Sequence, residues 1–321
     1  MGKNNRIPLV SVCCMTYNHD KFISQCLDGI IQQKGNFSIE ILIHDDASSD
    51  HTRQIIEFYR DKYPDIIKPL YQEINQYSRG VNIWNTYMFP LVKGEYIAIC
   101  DGDDYWIDQY KLEKQITFLQ KYADYNLVYT NKIVINELGT RVIRNHPKYL
   151  SGNLFVNLLS GGNPITTSTV CIRTHDALEI MDFVNSIPFR SVMGDLQLWL
   201  ALAIKGKFKY LAFKSTVYRL SSISLSHSLS VNREIRFSKH EYFIKKYFAD
   251  IFQVNIDKKI LERTYYKNTI RRLFSFRKEI FLSYVFKSVK KDPFLIFDIK
   301  IITLVGVKLL KSILCKFYLY L

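Results

Sequence analysis

Residues 8–45 read PLVSVCCMTYNHDKFISQCLDGIIQQKGNFSIEILIHD, and this stretch decides the fold class. PLVSVCCM is a short continuous apolar run, KFISQCLDGIIQQ (21–33) carries apolar residues at helical spacing, and IEILIHD (39–45) is apolar again. The pattern predicts strand, helix, strand. It then recurs: SSDHTRQIIEFYRDKY reads as a helix that Ser49 or Asp50 caps, and IIKPLY as a third strand. VNIWNTYMFPLV reads as a helix bent or ended at Pro90, and GEYIAICD (94–101) as a buried fourth strand. LEKQITFLQKYAD and NLVYTNKIVI continue the alternation. Serial βα units imply an α/β domain with a doubly wound, mostly parallel sheet flanked by helices, whose ligands sit beyond the carboxyl ends of the strands.

Three polar motifs stand at those strand ends: Thr16-Tyr17-Asn18-His19, Asp45-Asp46-Ala47-Ser48-Ser49-Asp50 and Asp101-Gly102-Asp103-Asp104-Tyr105-Trp106. Three aspartates within four residues repel one another and resist burial as bare anions. A hard divalent cation such as Mg²⁺ or Mn²⁺ resolves the conflict, because it takes one or two carboxylates and fills its other positions with water and phosphate oxygens. The cluster therefore points to a nucleoside diphosphate. An isolated D-x-D is more often a solvated turn; here it directly ends an apolar strand and precedes Tyr-Trp, which is costly to expose.

The chain has 321 residues, with 48% hydrophobic and 23% charged, which excludes global disorder, collagen and coiled coil. Six cysteines, at 13, 14, 26, 100, 171 and 315, lie mostly in apolar runs without a C-x-x-C pair, so reduced core thiols are expected. MGKNNRIPLV lacks the apolar stretch of a secretory leader, and the expected location is cytoplasmic. The net charge of +14 is lopsided: residues 240–321 hold 17 Lys/Arg against 7 Asp/Glu, leaving 27 and 23 for residues 1–239. Ser-rich SLSHSLSVNRE fits a linker, so the reading divides the chain at 1–235 and 236–321.

Beyond it, Lys and Arg recur among aromatic and aliphatic residues at roughly helical spacing, predicting basic amphipathic helices. Asp298, Lys300, Lys308, Lys311 and Lys316 spoil a membrane span, since a central charge costs about 2.5–3.5 kcal/mol. Two readings of this tail stand side by side: contact with the surface of an anionic membrane, or packing of an apolar stripe with a solvated basic face. Nucleic acid is not the expected partner.

VSVCCMTYNHDKFISQCLDGIIQQ, EILIHDDASSDHT and GEYIAICDGDDYW, in that order, resemble glycosyltransferase family 2. The resemblance extends over about residues 8–220, through NPITTSTVCIR (163–173), GDLQLW and VYR (217–219). It implies a GT-A fold, a nucleotide-sugar donor, Mn²⁺ or Mg²⁺, and inversion at the anomeric carbon. By the same resemblance Thr16, Tyr17 and Asn18 border the nucleoside, and Asp45 accepts from the base, most often uracil, with Asp46 as the alternative. Asp101 and Asp103 take the D-x-D positions, Asp101 toward ribose and metal and Asp103 on the metal, with Gly102 between. Asp104 stands behind them, and Trp106 is a candidate wall of the sugar pocket. Asp195 takes the place of the catalytic base, where the family usually has an acidic pair and this chain has Gly194; a helix N-cap is its plainer reading.

Arg219 of VYR suits a diphosphate by guanidinium geometry, or a surface ion pair. His19 and His227 are conceivable metal or phosphate contacts, though histidines in polar loops are usually solvated. The Thr166–Thr169 run is either a set of sugar-hydroxyl contacts or a strand opening. The expected activity is hexosyl transfer to a saccharide, lipid-linked acceptor in surface polysaccharide synthesis, peripheral at the inner membrane face. A non-catalytic scaffold with a degenerate nucleotide-binding domain is the alternative. A sugar-1-phosphate nucleotidyltransferase is disfavoured, since no glycine-rich basic phosphate loop follows the first strand.

Overall fold

The computed structural model describes residues 8–136, 138–142, 149–189, 193–220 and 230–318, with side chains to 310. Val10–Thr16 forms β1, buried along almost its whole length, as its unbroken apolar run requires. Helix α1, Ile23–Ile31, buries Ile23, Cys26, Leu27 and Ile30, the three- and four-residue spacing of one helix face. Strand β2, Ile39–Asp45, follows, then α2, Thr52–Lys62. Asp50 rather than Ser49 serves the start of α2: its Oδ1 accepts from the Thr52 amide at 2.9 Å.

Strand β3 is Ile67–Tyr71, at one edge of the sheet, where Pro69 leaves no ladder donor missing. The helix expected to end at Pro90 is a π turn, Trp84–Met88, running into a 3₁₀ turn, Phe89–Leu91. Then come β4 (Tyr96–Ile99), β5 (Tyr105–Trp106), α3 (Lys111–Lys121) and β6 (Tyr125–Asn136). After α4 (Phe155–Ser160), a 3₁₀ turn at Thr167–Thr169 leads into β7 (Cys171–Arg173). Short helices α5 (Thr174–Glu179) and α6 (Met181–Asn185), then α7 (Gly194–Lys205) and β8 (Lys207–Leu220), complete the sheet region.

The eight strands run β3-β2-β1-β4-β7-β6-β8-β5. The pairs β1–β2, β2–β3, β1–β4 and β6–β8 are parallel, while β7 is antiparallel to β4 and β6, and β5 to β8. The α/β architecture with a mostly parallel sheet is as expected, and the antiparallel strands sit in the second half, where the βα alternation lapses. Cys13, Cys14, Cys26, Cys100 and Cys171 are buried free thiols.

The chain divides into two compact units: Met1–Phe155 with Gly162–Ser221, and Val156–Gly161 with Ser222–Leu321. The second is helical: α8 (Val231–Ile251), α9 (Lys258–Leu273), α10 (Lys278–Lys291), a 3₁₀ turn (Pro293–Phe297) and α11 (Ile299–Tyr318). Position 235 thus falls inside α8. Ile270, Leu273, Phe281, Val285, Leu295 and Ile301 form this unit's own core. A buried pair, Glu241 with Lys245 at 2.7 Å, is completed by Asn268 donating to both carboxylate oxygens. No helix among the described residues is long and apolar enough to cross a membrane. Positions 224–229 of the Ser-rich run, His227 among them, lie outside the described residues.

Candidate active site

Strand register brings the three polar motifs to one edge of the sheet. Thr16 pairs with Asp45 and Asp45 with Tyr71, so β1, β2 and β3 end at one level, while β4 stops at Ile99 beside Cys13 and the residues after it run on along β1. Beyond β4 the Gly102 amide donates to the Met15 carbonyl at 2.8 Å, carrying the acidic loop across the end of β1.

The first two loops are laced together. Asn18, with φ of 54°, donates its amide to Ser48 Oγ at 2.9 Å and accepts from the Ser49 amide at 2.8 Å through Oδ1. Ser48 Oγ in turn donates to Asp45 Oδ1, and the Asp46 amide donates to the Thr16 carbonyl at 3.0 Å. Burial pushes the Asp45 carboxyl above its ordinary range, against the pull of the Ser48 hydroxyl. Tyr17 is exposed at the rim, at 40%. Asp46 faces elsewhere: its two oxygens accept from the amides of Gln76 at 2.7 Å and Tyr77 at 3.0 Å, and its carbonyl accepts from Asn75 Nδ2 at 3.2 Å. It pins the segment after β3 beside the site, with Arg79 exposed on it. That segment escaped the sequence reading. The available signal was topological, because a third parallel strand must also deliver its following loop to this edge.

The acidic loop is held by the other half of the sheet. Asp104 is buried, accepting from the Arg219 amide at 2.9 Å and from Ser168 Oγ at 2.7 Å. Asp101 Oδ2 accepts from Thr167 Oγ1 at 2.6 Å, whereas its buried Oδ1 has no partner among the described residues. The Thr166–Thr169 run is therefore neither a strand opening nor an open row of hydroxyls. It is a 3₁₀ turn that grips the loop from behind. Buried Lys111 anchors that turn, donating to the Val170 carbonyl at 3.3 Å and to Gln115 Oε1 at 2.9 Å; Gln115 donates onward to the Thr169 carbonyl at 2.9 Å.

Trp106 is 4% exposed, with its indole N–H on the Ser168 carbonyl and Lys111 Nζ 4.0 Å above its ring, so it is core rather than a sugar-pocket wall. Gly102 has no room for a side chain: a Cβ there would lie 2.8 Å from Thr16 Oγ1, 2.9 Å from Thr16 Cβ and 3.0 Å from His19 Nδ1. His19 thus sits against the loop, and burial lowers its pKa while Asp101 works to raise it.

Arg219, 7% exposed, lies beneath the loop, donating Nε to the Asp103 carbonyl at 3.0 Å and an Nη to Gln25 at 2.9 Å, with Phe22 stacked at 4.5 Å. The surface ion pair is excluded by that burial. Burial pushes Asp101 up to about 6, with Asp103 adding repulsion, and burial likewise pushes Asp103 to about 6 despite Arg219. A carboxylate oxygen without a partner, in a pair of carboxyls that resist ionisation, is the donor set a hard divalent cation satisfies.

Asp195 is the second residue of α7, and the helix cap position, Met193, makes no side-chain cap bond; the N-cap reading of Asp195 is thereby replaced. Asn163 Nδ2 donates to Asp195 Oδ2 at 3.2 Å. Asn163 and Thr167 are four residues apart, so their Cα atoms lie within about 14 Å. One short segment therefore bonds Asp195 at one end and Asp101 at the other. Gly194 opens toward Trp84, whose Cζ3 lies 3.9 Å from where a Cβ would stand.

Residues 11–179 match the family model described as Glycosyl transferase family 2. An uncharacterized protein of Mycobacterium tuberculosis is 30% identical over 224 residues, covering 70% of this chain, which spans 62% of that relative's length. The putative glycosyltransferase EpsE of Bacillus subtilis is 29% identical over 67% of this chain and 74% of its own. The UDP-Glc:alpha-D-GlcNAc-diphosphoundecaprenol beta-1,3-glucosyltransferase WfgD of Escherichia coli is 34% identical over 39% of this chain and 49% of its own. Among solved structures, S. aureus TarS 1–349 in complex with UDP-GlcNAc superposes with TM-score 0.58 at 20% identity, over 83% of this chain and 73% of that one. The mannosyltransferase PcManGT of Pyrobaculum calidifontis, in complex with GDP-Man and Mn²⁺, gives 0.57 at 16%, over 95% and 85%. At these identities the likeness speaks for the fold, the GT-A architecture expected from the sequence.

Proposed function

Since this chain belongs to glycosyl transferase family 2, we propose that it is an inverting hexosyltransferase that moves a sugar from a nucleotide-sugar donor, a UDP-sugar, to a lipid-linked saccharide acceptor. The observation that carries the reading is the buried Oδ1 of Asp101, without a partner among the described residues, in a loop that strand register sets beside Asp45 and Thr16. The donor class draws support from TarS and WfgD, whose names carry UDP-GlcNAc and UDP-Glc, and the acceptor class from the diphosphoundecaprenol of WfgD. Synthesis of surface polysaccharide on the inner face of the cytoplasmic membrane follows from such an acceptor.

In this reading Asp45 accepts a hydrogen bond from the base, and the Thr16, Tyr17 and Asn18 segment borders the nucleoside. Asp46 keeps the segment after β3 in place. Asp101 and Asp103 would hold Mn²⁺ or Mg²⁺, which when bound neutralises charge on the diphosphate leaving group. Arg219 fixes the loop through the Asp103 carbonyl and contributes positive charge beneath it. Asp195 takes the proton of the acceptor hydroxyl, while Asn163 orients its carboxylate. The acceptor oxygen bonds to the anomeric carbon as the bond from that carbon to the β-phosphate oxygen breaks, and the nucleoside diphosphate leaves with the electron pair. Attack opposite the leaving group inverts the centre, giving a β-linkage from an α-linked donor.

Calorimetric titration with UDP, GDP and dTDP, each with Mn²⁺ and then with EDTA, tests the proposal. Metal-dependent binding of UDP supports it. Absence of binding to all three by folded protein favours the non-catalytic scaffold.

A further inference from the structure

The helical unit has a core of its own, and its packing leaves a separate set of large apolar side chains outside. From Val285 to Ile301 the inward positions are taken by Ser288 and Leu295, both fully buried, and by Ile301 at 2% exposure. Around them Phe286 (72%), Phe294 (66%), Phe297 (72%) and Ile299 (78%) point to solvent, with Ile296 and Ile302 half exposed. These six side chains come from 17 consecutive residues: the end of α10, the Pro293–Phe297 turn and the start of α11. Ile299 and Ile302 are three apart on α11 and share a face. Single exposed apolar residues are ordinary, but such a concentration in one corner marks a contact surface.

The charges of this corner are equally selective. Its two acids are neutralised within the unit, Asp292 by Arg263 at 2.6 Å and Asp298 by Lys267 at 2.5 Å. Lys287, Lys290, Lys291 and Lys300 are all exposed, and no described ion pair includes them. Lys290 follows Phe286 by four residues and lies on its face of α10. The corner therefore presents three phenylalanines and three isoleucines among four unopposed ammonium groups. A protein partner is a poor fit, because interface cores are depleted in lysine. An anionic bilayer fits both halves: the rings and aliphatic groups enter the boundary between headgroups and acyl chains, and the ammonium groups meet lipid phosphates.

We propose that the α10–turn–α11 corner docks this chain onto anionic lipid bilayers. The inference rests on and deepens the peripheral-membrane part of the reading above, by naming the surface and the lipid charge it requires.

Flotation of the full chain with vesicles tests it, comparing a mixture of phosphatidylglycerol and phosphatidylcholine with phosphatidylcholine alone. The wild type is expected to float with the anionic vesicles, to float poorly with the neutral ones, and to be released as salt rises. The double substitution Phe294→Ser/Phe297→Ser should weaken partitioning on the order of a hundredfold, and Lys290→Gln/Lys291→Gln about tenfold or more. Both pairs are exposed, and the described ring contact, Arg263 over Phe294 at 5.2 Å, is worth about 0.5–1 kcal/mol at the surface, so melting temperatures within a few degrees of wild type are expected and separate lost docking from lost folding. Flotation of the phenylalanine variant equal to wild type overturns the proposal, as does equal binding to neutral vesicles. A wild-type dimer that the same substitutions convert to monomer, with no flotation by either, assigns the corner to self-association instead. Nucleotide titration of the same samples keeps the two readings apart: flotation without nucleotide binding upholds the docking surface and removes the glycosyl-transfer reading.

Discussion

Replacing Asp103 by Asn should make the metal-free protein more stable while abolishing metal-dependent nucleotide binding. Burial raises the Asp103 carboxyl from its ordinary 3.8 to about 6. Its folded pKa lies above its unfolded one, so the folded state holds the proton more tightly and stability falls as pH rises through that window. Each tenfold difference in proton affinity between the two states is worth about 1.36 kcal/mol, which makes the penalty above pH 7 on the order of 3 kcal/mol. The same linkage leaves roughly half of it at pH 5 and little below pH 4. Asn keeps the shape without the charge and also relieves the repulsion that Asp103 exerts on Asp101. For a domain of this size the gain corresponds to a rise in melting temperature of about 5–10 °C at pH 7.5 in EDTA, shrinking by about half at pH 5. Added Mn²⁺ should raise the melting temperature of the wild type and leave Asp103→Asn unmoved. The assay is differential scanning calorimetry at both pH values, with EDTA and with Mn²⁺. A variant less stable than wild type at pH 7.5 in EDTA, or a gain that does not change with pH, would refute the account of a loop strained by its own carboxylates.

Three further outcomes follow from the site. Asp195→Asn should lower turnover by about 10²–10⁴-fold while nucleotide affinity, measured by calorimetry, stays within about twofold; equal loss of both would move Asp195 from proton acceptor to donor binding. Gly102→Ala drives a Cβ to within 3 Å of Thr16 and His19, and should cost about 1–3 kcal/mol of stability together with metal-dependent nucleotide binding, read by thermal melts and titration. Thr167→Val removes the described donor to Asp101 Oδ2, so the Asp101 carboxyl should rise further and the acid limb of metal-dependent binding should move to higher pH by roughly half a unit or more.

Much of this protein is legible along the chain. Residues 8–45 state the βαβ unit because apolar periodicity reflects which faces are buried, and burial of a strand or helix face is a local pattern. The strand-end motifs are legible for the same reason: once four strands are parallel, their following loops share an edge, and Thr16, Asp45 and Asp101 are brought together by topology. The antiparallel β7 is less legible, since three residues carry no orientation of their own and take it from β4 and β6.

Tertiary structure alone decided what holds the site. Two neighbouring aspartates, Asp45 and Asp46, are offered as alternatives by the sequence, yet Asp45 accepts from Ser48 in the loop laced to Asn18, and Asp46 is consumed by amides 30 and 31 residues away. The Thr166–Thr169 run offered sugar-hydroxyl contacts or a strand opening, and Arg219 a diphosphate contact or a surface ion pair, until hydrogen bonds spanning 64 to 116 residues place Thr167, Ser168 and Arg219 around the acidic loop. Trp106 changes from a candidate pocket wall to a buried support beneath Lys111. The physical reason is that an isolated polar side chain takes its role from the partner that satisfies it. For these residues that partner arrives from a distant strand or turn, so only the closed sheet reveals it.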